Sequence, residues 1–394
     1  MDTRLTSEQE LVQETARDLF ESLGGTELAR RQMAGDDTVV SEVWGEIADL
    51  DFPAITVPLG QGGLGEGMPS LVTLLEVFGR YAIPGPFAET TAFAVPLIEE
   101  LGAEEQHSAL LGPVAEGTTR CSLALYDDRT EPLPESIQLS AEPVDGGYRL
   151  DGTKTLVPYA DVADVILVVT RHTGSGYDGL SVFAVDVEET PVEMNQLGST
   201  DRVRPLYEVS FDGVTVRSDA LLGTYGECGD ALQLAADRLD VARCAMLVGA
   251  GRRSVELSSA HADDRVQYGQ PIGRFQAVKH RIVEMAIDVE QARSLTHHAA
   301  WAFGSPESGA PLAATMAKYY TSTHLPGVFV DDIKNHGGMG FTWDHDGHIY
   351  LKQAKSLTNL MGSSHTQQDR IAELRGYADR GLPDYPELTE IVDR

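Results

Sequence analysis

The sequence predicts an α+β chain in three successive parts, helical, then antiparallel β, then a helical bundle, and three observations predict it. Apolar residues recur at helical spacing from the start to about residue 115. They then fall into short β-branched runs at period 2, and return to helical spacing from about 225 onward. The expected domains are 1–115, 116–224 and 225–394.

The first part opens on Ser7-Glu8-Gln9-Glu10, a capping-box pattern, with Leu11, Val12, Ala16, Leu19 and Phe20 on one helical face. Further helices are expected over Val39–Ala48, Ser70–Tyr81, Phe87–Leu101 and Ala103–Leu111, separated by the Gly-rich loop Leu59–Gly67 and by Pro84-Gly85-Pro86. The middle part carries strand-like runs at Arg120–Tyr126, Gly147–Leu150, Val165–Thr170, Leu180–Val187, Tyr207–Phe211 and Val214–Val216, each bounded by Gly, Asp or Pro. In the last part Leu232, Ala236, Leu239, Met246 and Val248 open one long helix. A second is expected over Phe275–Phe303, with Ile282, Met285, Val289, Ala292 and Leu295 on a shared face, and a third over Leu312–His324.

With 394 residues the chain can bury a large core, and acidic residues outnumber basic ones by 61 to 30, for a net charge of −31. No basic block interrupts that excess, so nucleic acid and anionic membranes are excluded as partners. An anionic ligand would need a site that makes its own positive potential. Cys121, Cys228 and Cys244 form no CxxC pair and read as buried small hydrophobes in a reducing compartment. The polar start Met1–Glu10, and the lack of any window near the ~20 apolar residues of a membrane span, lead to the expectation of a soluble cytoplasmic protein.

Several strings imitate sites. Gly174-Ser175-Gly176-Tyr177-Asp178-Gly179 spells GxGxxG, but a strand follows it where a dinucleotide site needs a helix, so it reads as a hairpin turn. Asp344-His345-Asp346-Gly347 has its Gly too early for a calcium loop, and Lys355 stands where the bidentate acid belongs. His336, His345, His348 and His365 lack zinc-site spacing, so no metal is expected. Two strings carry more. In Arg265-Val266-Gln267-Tyr268-Gly269-Gln270-Pro271-Ile272-Gly273-Arg274-Phe275-Gln276, an Arg closes one helix, a Gly/Pro turn follows and Phe-Gln opens the next. A guanidinium, amide side chains and free helix N–H groups thus gather where a diphosphate could be held, or where two helices simply turn. In Asn335-His336-Gly337-Gly338-Met339-Gly340-Phe341, three glycines in four positions allow backbone to approach a ligand closely, or make a tight turn.

These two strings, in this order after a helical and a β region, resemble the acyl-CoA dehydrogenases. The resemblance covers nearly the whole chain: Pro58–Gly65 is similar to the family's N-terminal Gly-rich loop and Gly152-Thr153-Lys154 to its Gly-Ser-Lys turn. Ala163-Asp164, Phe211-Asp212-Gly213-Val214 and Leu222-Gly223 continue the match. It implies FAD, with Arg265, Gln267, Tyr268 and Gln276 on the diphosphate side, often across a subunit boundary. Lys334, Gly337 and Gly338 fall near its adenosine half, and Ser363 near the terminal motif. It also implies dehydrogenation of an acyl thioester, carried by CoA or a carrier protein: a Glu takes the α-proton while the β-hydrogen leaves as hydride to the flavin. A tetramer is the implied assembly.

The chain departs from the family where the chemistry is. The Trp-Ile-Thr/Ser beside the flavin becomes Leu156-Val157-Pro158, and the threonine–acid pair of the first strand becomes Tyr126-Asp127, although Thr130-Glu131-Pro132 spells that motif about four residues late. A Gln becomes Lys334. The Glu-Gly-Thr that carries the base becomes Met361-Gly362-Ser363, and Met accepts no proton. Relatives with the base on the long third-part helix align there at Leu239 and Asp240, so Asp240 is the one candidate base. Three functions follow: a base-lacking subunit working beside a second acyl-CoA dehydrogenase subunit, in which Asp240 is a helix-surface acid; a self-sufficient enzyme using Asp240; or a non-redox descendant that binds an acyl group or a protein.

Overall fold

Reciprocal capping starts the first helix of this computed structural model, which describes residues 5–127, 133–305 and 309–377. Thr6 Oγ1 accepts from Gln9 N at 3.2 Å, and the Gln9 side chain accepts from Thr6 N at 3.1 Å. The box thus stands one residue ahead of the expected Ser7/Glu10 pair, because Thr6 holds the extended backbone that a cap requires. In chain order come α1 (Ser7–Ser22), α2 (Glu27–Ala34), α3 (Val39–Ala48), α4 (Met68–Tyr81), α5 (Val95–Leu101), α6 (Glu104–Gln106) and α7 (Gly112–Ala115). Wide π-helical turns, Glu89–Ala94 and His107–Leu111, precede α5 and α7.

The middle part follows as β1 (Cys121–Ala124), β2 (Ser140–Val144), β3 (Gly147–Pro158), β4 (Val165–Arg171), β5 (Leu180–Asp186), β6 (Glu193–Gln196), β7 (Leu206–Arg217) and β8 (Leu221–Leu222). They form two four-stranded sheets, β1-β4-β5-β8 and β2-β3-β7-β6. One pair, β1 with β4, runs parallel within the otherwise antiparallel set. The chain leaves β1, builds β2 and β3 in the other sheet and returns, so β4 starts from the same side as β1. The first sheet is buried on both faces. Val165, Leu167 and Val169 pack into the main helical core while Ile166 and Val168 meet the second sheet, which is why β4 reads as an unbroken apolar run. Gly174–Gly179 lies in the β4–β5 connection, with Gly174, Gly176 and Gly179 at positive φ.

The last part holds α8 (Gly229–Asp264), a short hairpin of β9 (Val266–Gln267) and β10 (Gln270–Pro271), then α9 (Gln276–Phe303), α10 (Ala310–His336), α11 (Gly347–Leu360) and α12 (Ser364–Leu374). The α10 helix runs well past the expected end at His324, through Pro326. Proline removes one backbone donor, but Leu325 before it and Val328, Phe329 and Ile333 beyond it are all buried, and that packing carries the helix on. The apolar face of α9 likewise turns inward, with Met285, Val289 and Ala292 in the core; Val283 and Ile287 stay half exposed. The N-terminal helices lock onto the bundle where α4 crosses α8. A Cβ on Gly79 would stand 1.8 Å from Met246 O, and one on Gly249 1.8 Å from Glu76 O, so only glycine allows this approach. All three cysteines are free and buried.

Candidate active site and cofactor surface

Two separate groups of residues matter, one at each end of the bundle. At the first end α8 stops at Arg265, and Ile272 N returns to Arg265 O at 2.8 Å, closing the β9–β10 hairpin. Tyr268 and Gly269 both take positive φ at its tip, and Tyr268 is 93% exposed. Gln267 is exposed beside it, and Gln276 is exposed at the first position of α9. The end of α10 is pinned next to this hairpin. Ser258 Oγ donates to Asp332 Oδ1 at 2.7 Å, Asn335 Nδ2 donates to Ser258 Oγ at 3.2 Å, and the rings of His261, His336 and His345 meet in a row, tilted, with centroids 4.6 and 4.0 Å apart. Here Lys334 is exposed but paired with Asp331 at 2.9 Å. Gly337 and Gly338 are exposed, and a Cβ on either would meet nothing within 4 Å. Arg265, Gln267, Tyr268, Gln276, Lys334, Gly337 and Gly338 therefore share one solvent-facing end, which offers cation, amide and unobstructed backbone to an anionic ligand.

The second end lies around Met361. Gln367 Nε2 donates to Met361 O at 3.2 Å and Gly362 O at 3.3 Å, holding the turn between α11 and α12. Met361 is buried, whereas Ser363 is exposed and serves as N-cap, its Oγ accepting from Thr366 N at 3.2 Å. A cleft of about 250 Å³ beside it is lined by Pro326, Lys355 and Thr358 among others. Tyr126 reaches this end from β1, its hydroxyl donating to Leu360 O at 2.9 Å, and its O accepting from Thr155 N at 2.7 Å. Burial pushes the Tyr126 phenol up to about 12, with Arg243 opposing and Asp240 adding to the shift. Leu156 takes positive φ in the bulge of β3 that follows, Pro158 ends the strand, and Tyr159, just past it, takes positive φ as well. Thr130-Glu131-Pro132 lies outside the described residues.

Asp240 is not a surface acid. It is buried, with Oδ1 3.2 Å from Arg243 Nη1 and Oδ2 2.7 Å from Lys318 Nζ. Accepting a proton would break a buried ion pair. One turn earlier Asp237 takes both Nη atoms of Arg370, at 2.5 and 2.7 Å. Sequence reasoning missed Asp237, Arg243, Lys318 and Arg370, which these contacts place in two ion clusters one turn apart on α8. A usable signal was present: Asp237, Asp240 and Arg243 recur every third residue, with Arg238 the one other charged residue from Leu232 to Gly251. Along α8, Asp240 and Arg265 stand 25 positions apart, about 37 Å at ~1.5 Å per residue.

Matches to known families use both ends. Residues 6–118 match the family model for the acyl-CoA dehydrogenase N-terminal domain, and residues 232–374 that for the acyl-CoA dehydrogenase C-terminal domain. The chain belongs to the acyl-CoA dehydrogenase family. It is 26% identical over 373 residues to the acyl-CoA dehydrogenase IpdE2 of Mycolicibacterium smegmatis, covering 93% of this chain and 98% of that protein. The ChsE4–ChsE5 complex of Mycobacterium tuberculosis superimposes with a TM-score of 0.84 at 25% identity, covering 97% and 100% of the two chains. An FAD complex of PigA superimposes at 0.87 with 21% identity, covering 95% and 99%. The fold is that of an acyl-CoA dehydrogenase and the cofactor is FAD. The residues present suit its diphosphate and adenosine half, where Gly337 and Gly338 leave backbone clear and Arg265 is exposed. The Trp-Ile-Thr/Ser string expected beside the flavin ring reads Leu156-Val157-Pro158 in this chain. Among the described residues no group of three or more His, Cys, Asp or Glu is placed to hold a metal, and no helix is long and apolar enough to cross a membrane.

Proposed function

We propose that this chain is the base-lacking subunit of a hetero-oligomeric acyl-CoA dehydrogenase, lending its diphosphate-side end to an FAD site completed by a second subunit that carries the Glu. The observation that carries this reading is the state of Asp240, the one acid that could replace the missing base: both its oxygens are held by Arg243 and Lys318. General-base catalysis needs a carboxylate free to reach the α-proton. Bound FAD supplies the hydride acceptor of the reaction. Arg265, Gln267, Tyr268 and Gln276 would grip its diphosphate, and the open backbone at Gly337-Gly338 would seat its adenosine half, neither requiring any acid from this chain. The separation of about 37 Å between the two ends supports sharing of cofactors across a subunit boundary, and the half-exposed Val283 and Ile287 of α9 suit a tetramer. The substrate is an acyl thioester of CoA or of a carrier protein, and the free thiols suit a reducing cytoplasm.

The test is co-expression with a second acyl-CoA dehydrogenase subunit that carries the Glu. The complex should hold one active FAD per heterodimer and bleach with an acyl thioester, and the chain alone should dehydrogenate none. The Asp240→Asn variant, which removes one carboxylate charge from a buried ion cluster, should lower the melting temperature of the complex but leave its turnover per bound FAD unchanged. If the chain alone turns over and Asp240→Asn abolishes that while flavin stays bound, Asp240 is the base and the proposal fails.

A further inference from the structure

Beside Met361 the charges do not balance. Three cations, Arg243, Lys318 and Arg370, have side chains 4%, 18% and 21% exposed. Among the described residues their carboxylate partners are two, Asp237 and Asp240. Arg243 spends one Nη on Asp240 and Arg370 both on Asp237, and the Nε of each arginine is buried with no hydrogen-bond partner among the described residues. The other titratable groups facing the cluster add no negative charge near neutral pH. Burial pushes the Tyr126 phenol and the Cys244 thiol each up to about 12, and the Tyr177 phenol above its usual range. A guanidinium cannot shed its proton. Desolvation raises the Asp237 carboxyl, so any proton it gained would only enlarge the imbalance. Among the described residues at least one positive charge of this cluster is thus left without a carboxylate partner, in a chain that carries −31 overall. Burying an unpaired charge is costly, and proteins rarely leave one so.

We propose that this cluster binds a carboxylate group, docked on Arg243 with Lys318 as the second cation, borne either by a free organic acid or by an acyl chain that carries a terminal acid. Oxygen atoms at this point would complete the hydrogen bonding of the arginine and neutralise the cluster. The proposal goes beyond the partner-dependent reading and does not need it, since the site would hold the acid whether or not the chain turns over.

Binding is therefore read without turnover, by titration calorimetry on the purified full-length chain. Butyrate should bind saturably and the isosteric neutral butyramide should not. Arg243→Met should weaken butyrate at least about tenfold, the usual worth of a charged hydrogen bond. Lys318→Met serves as a second variant should Arg243→Met fold poorly, and Arg217→Met, which touches a surface acid elsewhere, should bind as wild type. Glutaryl-CoA preferred over butyryl-CoA by tenfold or more assigns the carboxylate to the acyl chain; butyrate binding without that preference assigns a free acid. Equal binding of butyrate and butyramide with no thioester preference, or butyrate affinity unchanged in both Arg243→Met and Lys318→Met, overturns the proposal.

Discussion

The Tyr126 hydroxyl donates to the Leu360 carbonyl at 2.9 Å, tying the end of β1 to the residue before Met361. Two functional departures from the family, a tyrosine in the first strand and a methionine at the base position, are thus in direct structural contact through one backbone group. Tyr126→Phe should leave the Leu360 carbonyl without this donor and cost about 1–3 kcal/mol. Urea unfolding of the two proteins measures it, and an unchanged midpoint would show that the bond contributes nothing.

Arg265→Ala should weaken FAD retention at least about tenfold, because it removes the exposed cation at the diphosphate end. His345→Ala should keep its flavin. Its ring accepts from Gly347 N at 3.0 Å at the start of α11, so the expected loss is about 1 kcal/mol of stability instead. Flavin absorbance after dialysis separates the two; equal retention would take Arg265 out of the site.

Two glycines should answer oppositely to the same substitution. Gly249→Ala would drive a methyl to within 1.8 Å of Glu76 O and force α4 and α8 apart, costing about 3 kcal/mol or more. Gly338→Ala meets nothing within 4 Å, so stability should change by less than about 0.5 kcal/mol while FAD binding falls. Thermal melts of the flavin-free proteins, paired with flavin titrations, check both halves.

Lys154 gives a pH signature. Its ammonium is fully buried, donating to Leu125 O at 3.2 Å and Asp127 Oδ2 at 2.8 Å, and burial lowers its pKa to about 8 despite Asp127. In the unfolded chain the lysine keeps its proton to about pH 10.4. Between these values the unfolded state binds more protons, so stability rises with pH, by at most about 1.4 kcal/mol per unit. Denaturation of wild type and Lys154→Met from pH 7 to 10 should show the difference moving steadily in favour of the wild type above pH 8. A difference flat across that range would mean that Lys154 titrates normally.

Where periodicity is strong, structure followed it. The order helical, β, helical and the turn nature of Gly174–Gly179 were legible because each depends on local spacing and on glycine conformations that neighbours in sequence specify. The seven residues from Arg265 to Gly338 could be named individually because they sit in loops and helix ends whose backbone chemistry is local. Their meeting at one end was not legible. It depends on Ser258 reaching Asp332 and on three histidine rings meeting, contacts between positions up to 75 residues apart.

By itself the sequence determined the fold class, the family, the loss of the Glu at Met361 and the want of any better acid than Asp240. Tertiary structure alone decided what Asp240 is. Helical spacing allowed it to face solvent. Packing of α8 against α10 instead buried it beside Arg243 and brought Lys318 to its second oxygen. The same packing enclosed three cations around two acids. Which side of a helix is buried depends on what is packed against it, and a charge taken out of water is governed by the partners that distant segments deliver, which no local pattern records.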